Sequence, residues 1–157
     1  MKHEVTFRLN GDLETVEVAS EQTLLDTLRN RFKLFGAREG CGVGVCGACT
    51  VLVEGHPVSS CVMLAALADG REILTIEGLA PASELHPLQE EIWSRGASQC
   101  GYCTPGIILA AKSLLDDKPD AGREEIMEYM AGNICRCTGY VKIIEAILAA
   151  RDRLARI

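Results

Sequence analysis

Eight cysteines fall into two sets of four along this 157-residue chain, with none left over. Cys41, Cys46, Cys49 and Cys61 are spaced C-x4-C-x2-C-x11-C, and Cys100, Cys103, Cys135 and Cys137 are spaced C-x2-C-x31-C-x-C. A chain this long buries ~70% of its unfolded surface and holds a core without cross-links. The thiols therefore need a reason other than disulfide scaffolding.

Four thiolates are the ligand set of one [2Fe–2S] cluster, and C-x4-C-x2-C with a distant fourth cysteine is the plant-type ferredoxin spacing. The first set has that spacing. It lies in a stretch holding Gly36, Gly40, Gly42, Gly44 and Gly47. Glycine lets backbone wrap closely with its N–H groups turned inward, which suits an anionic centre. Cys61 follows a predicted hairpin over Thr50–Ser60, and a hairpin returns its far end to its start, beside Cys49. The second set is less determined. Cys103 precedes a helix start at Thr104-Pro105, with Thr104 as the expected N-cap, and Cys135 and Cys137 precede the last predicted helix. Helix N-termini favour anions and thiolates. C-x2-C with a further cysteine pair also suits structural zinc, and spacing alone leaves that choice open.

The elements follow from periodicity. Val5, Phe7 and Leu9 alternate along a first strand, Asn10-Gly11 signals a two-residue hairpin, and Val16 and Val18 face inward on the return. Leu24, Leu25, Leu28 and Phe32 form one face of a helix predicted over Thr23–Leu34. Strands are expected at Thr50–Val53, Val58–Ser60 and Glu72–Ile76. Residues 78–87 read as a linker. Beyond it the pattern is helical. Leu85, Leu88 and Ile92 share a face in a helix that Gly96 ends, and further helices run from Thr104 to about Asp116, Arg123 to Ala131 and Tyr140 to Leu154. The fold class is α+β: an N-terminal β-grasp, plant-type ferredoxin-like domain over 1–78, then a C-terminal four-helix bundle over 79–157. With aromatics at 4%, the cores must be aliphatic. Trp93 reads as a partly buried packing residue, and His3, His56 and His86 as surface or turn residues.

The net charge of −6 argues against a nucleic-acid surface. Arg151, Arg153 and Arg156 read as a solvated helix end. No apolar run is long enough to span a membrane, and no export signal is seen, so a cytoplasmic location is expected. No nucleotide-binding loop or nucleophile–base pair is visible, and no catalytic residue is assigned.

The stretch EGCGVGVCGACTV from Glu39 to Val51 resembles the first cluster motif of the xanthine oxidase family of molybdenum hydroxylases. QCGYCTPG from Gln99 to Gly106 resembles the second, and GNICRCTGY from Gly132 to Tyr140 the third. Val45 stands where the family often has an acidic residue, and Ile134 where Leu is commoner. The resemblance implies a small iron–sulfur subunit whose second cysteine set also holds a [2Fe–2S] cluster. It implies a large subunit carrying molybdenum on a pterin dinucleotide, with Gln99 and Cys137 beside the pterin, and a medium subunit carrying FAD. Electrons would pass singly between them through the two clusters. The residues alone also fit a stand-alone two-cluster ferredoxin or a zinc-stabilised adaptor.

Overall fold

The computed structural model describes residues 1–81 and 83–156. Strands β1 (Lys2–Leu9) and β2 (Asp12–Ala19) form an antiparallel hairpin with Leu9 opposite Asp12. Asn10 and Gly11 both take positive φ, 52° and 95°, as the tight turn between right-twisted strands requires. Glu54 and Gly55 repeat the device, at 52° and 79°, between β3 (Thr50–Val53) and β4 (His56–Ser59). Strand β5 (Glu72–Leu74) enters the middle of the sheet, parallel to β1 and antiparallel to β3, giving the order β2-β1-β5-β3-β4. Helix α1 (Leu24–Asn30) crosses one face, capped by the Thr23 hydroxyl, which accepts from the Asp26 N–H.

Among the described residues four α-helices follow: α2 (Pro87–Ser94), α3 (Thr104–Asp117), α4 (Arg123–Met130) and α5 (Val141–Leu154). This is the α+β architecture expected, a ferredoxin-like sheet domain followed by a helical one. Val5, Phe7, Leu9, Leu24, Leu28, Val51 and Ile73 are among the first core. Leu88, Ile107, Ile126, Ile143 and Ile147 are among the second. Leu52 and Leu109 are buried outside both cores, on β3 and α3, the elements that meet at the seam between the halves. The Ser113 hydroxyl of α3 crosses that seam to the Gly55 carbonyl, 2.8 Å away.

Several boundaries differ from the sequence expectation, each for a local reason. Helix α1 stops at Asn30 because Lys33 turns left-handed (φ 58°) and the Leu34 N–H returns to the Leu28 carbonyl. The hairpin strand β4 starts two residues early, at His56, since a two-residue turn leaves no slack. Strand β5 ends at Leu74, where Thr75 is held by the Asn10 carboxamide. Leu85 is exposed and precedes α2, whose N-cap is His86. Helix α3 includes Thr104 and is capped by the backbone of Cys103, while the Thr104 hydroxyl bonds Ser98 instead. Trp93 is 80% exposed, off the buried stripe of α2 that Leu88 and Ile92 form. Arg153 pairs with Glu90 and Glu91, so the C-terminal basic end ties α5 to α2. No helix among the described residues is long and apolar enough to cross a membrane.

Candidate metal centres

Each cysteine set is assembled by a different local device. In the first, the loop after α1 carries Cys41, Cys46 and Cys49 to the start of β3, and the β3–β4 hairpin delivers Cys61. Thr50 lies opposite Ser59, so Cys49 and Cys61 emerge side by side, close enough for the Cys49 thiol to act on that of Cys61. Cys41 and Cys46 form the other pair. The N–H groups of Val43 and Val45 both point at Cys41 Sγ, each at 3.4 Å. Together with the Cys46 amide they lower the Cys41 thiol to about 6. Burial, and then the Cys49 thiol, push Cys61 up to about 11. Not all five glycines serve this wrapping: a Cβ on Gly36 would meet Ile76, and that residue answers to packing.

In the second set, Cys137 Sγ donates to Cys100 Sγ at 3.5 Å, and the Cys135 thiol lies close enough to act on that of Cys103. The Tyr102 N–H, and next the Cys137 thiol, lower Cys100. Burial opposes ionisation of Cys135, but the Thr138 hydroxyl and the amides of Cys137 and Thr138 bring it below its ordinary value. Burial, and the Cys135 thiol, raise Cys103 to about 12. Donation to Cys100 raises Cys137. The expectation that every thiolate of this set is favoured by a helix N-terminus is therefore corrected. Thiols this close resist losing both of their protons. Metal binding displaces such protons, because the thiolate is the ligand form.

Among the described residues no three His, Cys, Asp or Glu side chains converge to hold a single metal ion. The sulfurs come as pairs, Cys41/Cys46 with Cys49/Cys61 and Cys100/Cys137 with Cys103/Cys135. Two thiolates per iron is the arrangement a [2Fe–2S] cluster asks of a four-cysteine site. The donor set and the inward amides fit that group.

Residues between the two sets supply contacts the sequence reading did not assign. The Ile134 N–H, next to Cys135, donates to the Cys46 carbonyl at 2.9 Å. Asn133, buried, donates from Nδ2 to the Gly47 carbonyl at 3.1 Å and to Thr50 Oγ1 at 3.3 Å. A Cβ on Gly47 would stand 2.5 Å from Asn133 Nδ2, and one on Gly106 would stand 2.2 Å from the Gly47 carbonyl oxygen. Tyr140 takes a left-handed conformation (φ 68°). Its phenol accepts from the Cys135 N–H at 2.7 Å and donates to the Asn133 carbonyl at 3.1 Å. Asn133 and Tyr140 lie inside the third motif, which was the only sequence signal for either. Gln99 is exposed in the bend before Cys100, and Cys100 and Cys137 are exposed beside it.

The sheet domain, the helical domain and the paired thiols define a carrier of two [2Fe–2S] clusters. Comparison agrees for each half: residues 7–75 match the 2Fe-2S iron-sulfur cluster binding domain, and residues 75–148 match the [2Fe-2S] binding domain. The chain is 48% identical over 151 residues to the nicotinate dehydrogenase small FeS subunit of Eubacterium barkeri, covering 96% of each protein. It superposes on a chain of quinoline 2-oxidoreductase from Pseudomonas putida 86 with TM-score 0.94 and 40% identity, over 99% of this chain and 97% of that one. The aldehyde oxidoreductase of Desulfovibrio gigas matches with TM-score 0.94 and 38% identity, over 98% of this chain and 17% of that much longer one. The chain belongs to the small iron–sulfur subunits of the xanthine oxidase family of molybdenum hydroxylases.

Proposed function

We propose that this chain conducts single electrons between two larger partners. One is a subunit holding molybdenum on a pterin dinucleotide, and the other is a medium subunit holding FAD. Cys41, Cys46, Cys49 and Cys61 would hold one [2Fe–2S] cluster, and Cys100, Cys103, Cys135 and Cys137 the other. Such a cluster takes up and releases one electron at a time. The observation that carries the reading is the direct backbone bond between the two sets, from the Ile134 N–H to the Cys46 carbonyl. It leaves each set an outer edge of its own. Cys100, Cys137 and Gln99 are exposed on the helical side, beside exposed Tyr102 and Ile134. We assign this edge to the pterin, with Gln99 and Cys137 its neighbours. Exposed Val43, Val45 and Val62 surround the Cys41 loop, an apolar collar that fits the flavin-bearing partner.

The chain's own work is to hold and insulate. The amides of Val43 and Val45 face sulfur and favour the more negative, reduced state. The two cores flank the loops from either side, and their separation supports a sheet domain and a helical domain, with Ile76 already packed against the helical core. Eight free thiols suit a reducing compartment such as the cytoplasm.

Purification of the native complex tests this. The expected result is about four iron and four acid-labile sulfide per chain, a co-purifying large chain with molybdenum, and a flavin-bearing chain. Zinc in place of iron, or a chain that purifies alone, overturns the reading.

A further inference from the structure

Arg38 stands just before the loop that carries Cys41. Its backbone N–H is fixed to the Ala48 carbonyl at 3.1 Å, but its side chain leaves this loop for the other cysteine set. Nη1 donates to the carbonyl of Gly101, between Cys100 and Cys103, at 2.5 Å. The guanidinium lies 5.3 Å from the centroid of the Tyr102 ring. Tyr102 completes the circuit: its phenol donates to the Glu39 carbonyl at 2.6 Å, and its N–H points at Cys100 Sγ at 3.5 Å. One residue is thus tied to both cysteine loops, to the first by its backbone and to the second by its guanidinium.

It is half-buried, and among the described residues it forms no ion pair. The cations that do pair are Lys2, Arg95, Lys112, Lys118, Arg151 and Arg153. A guanidinium withdrawn from water without a carboxylate is unfavourable unless other negative charge lies close. The loops it joins are the two that would each hold an anionic centre.

We propose that Arg38 is the shared counter-charge of the two iron–sulfur centres, a positioning residue that raises both reduction potentials together. This rests on the reading of the two cysteine sets as cluster ligands. Each centre gains one electron, and one negative charge, on reduction. A fixed cation beside both loops stabilises the reduced form of each. The ring of Tyr102 and the Gly101 carbonyl keep the cation from swinging into solvent.

Redox titration of the purified complex with dithionite, followed by electron paramagnetic resonance, tests it. Metal content of the wild-type complex checks the ligand reading separately. Arg38→Gln removes the charge and leaves a shorter, neutral amide in its place. Both midpoints should fall, by about tenfold in each reduction equilibrium, which is about 59 mV for a one-electron couple. Arg38→Lys keeps the charge and should hold both midpoints at the wild-type values. Iron content should be unchanged in both. Wild-type potentials in Arg38→Gln, or a fall at one centre only, overturn the proposal. So does a fall at either centre, or a loss of iron, in Arg38→Lys. Should Arg38→Gln fail to assemble, Arg38→Met, which also removes the charge but keeps an unbranched side chain to lie against Tyr102, decides by the same criterion as Arg38→Gln.

Discussion

At the scale of the residue, the cysteines were legible because their spacing is set by cluster chemistry. Arg38, Asn133 and His86 were not, because their roles depend on groups brought near only by folding. His86, read from sequence as a surface or turn residue, caps α2. Its Nδ1 accepts from the Leu88 N–H at 3.2 Å, and its own N–H donates to Gln89 Oε1 at 2.9 Å. Burial, and then the charge of Lys112, lower its affinity for a proton, against a smaller opposing effect of Asp116. Only the neutral ring can accept at Nδ1. Because the folded chain resists protonation, the unfolded chain takes the proton first as pH falls. The stabilisation is complete above the ordinary histidine value of about 6.5 and is lost as pH falls below it. Denaturant unfolding from pH 8 to pH 5 should therefore show a decline in the wild type that flattens in His86→Asn, which caps without titrating. The difference should approach about 1 kcal/mol, the worth of a cap. An equal decline in both would remove His86 as the cause.

At the scale of the element, hairpins and helices were legible wherever local chemistry decides. Asn10-Gly11 and Glu54-Gly55 set their turns, and the apolar stripes of α3 and α5 lie buried as periodicity demands. Ends were less legible, because tertiary bonds compete for the capping groups. Thr104 has the residue type of a cap, yet its hydroxyl is taken by Ser98. Trp93, expected to pack, faces outward because Leu88 and Ile92 already fill the inner stripe. The segment entering α5 is the sharpest case. Its loop from Asn133 to Tyr140 is braced by one phenol, which bridges the Cys135 N–H and the Asn133 carbonyl. Tyr140→Phe keeps the ring and removes the bridge. Leaving the Cys135 N–H without its partner should cost about 1–3 kcal/mol, lowering Tm by several degrees at ~2–4 °C per kcal/mol for this chain length. The spectroscopic signal of the second centre should shift, since that amide belongs to a ligand residue, while the first signal stays in place. An unchanged Tm would mean that water replaces the phenol at no cost.

At the scale of the whole molecule, the two cysteine sets and the linker composition made two units visible, but not how tightly they join. The sequence has no periodicity that reports a seam. β3 is buried on all four residues, which reads equally as a strand inside one core. Here its second face meets α3. The seam predicts unequal effects of two substitutions. Cys100→Ser should abolish or distort the signal of the second centre and leave the first intact, because Cys100 is exposed and belongs to the second set alone. Asn133→Ala removes the amide that reaches Gly47 and Thr50 and should move both signals, at an expected stability loss of about 1–3 kcal/mol. The readout for both is electron paramagnetic resonance of the reduced protein. Loss of both signals in Cys100→Ser would show that the halves fold only as one.

The close approach of Gly106 to the Gly47 carbonyl bears on how such a protein can be recombined. Each half matches a family model of its own, which suggests parts that could be traded between relatives. Yet the contact is backbone against backbone, with no side chain on either side to adjust. A chimaera joining this sheet domain to a foreign helical one would need glycine at the position of Gly106 and an amide at that of Asn133. Without both, the graft would hold its two clusters at the wrong spacing, however well each half folded. The halves are exchangeable only as a matched couple.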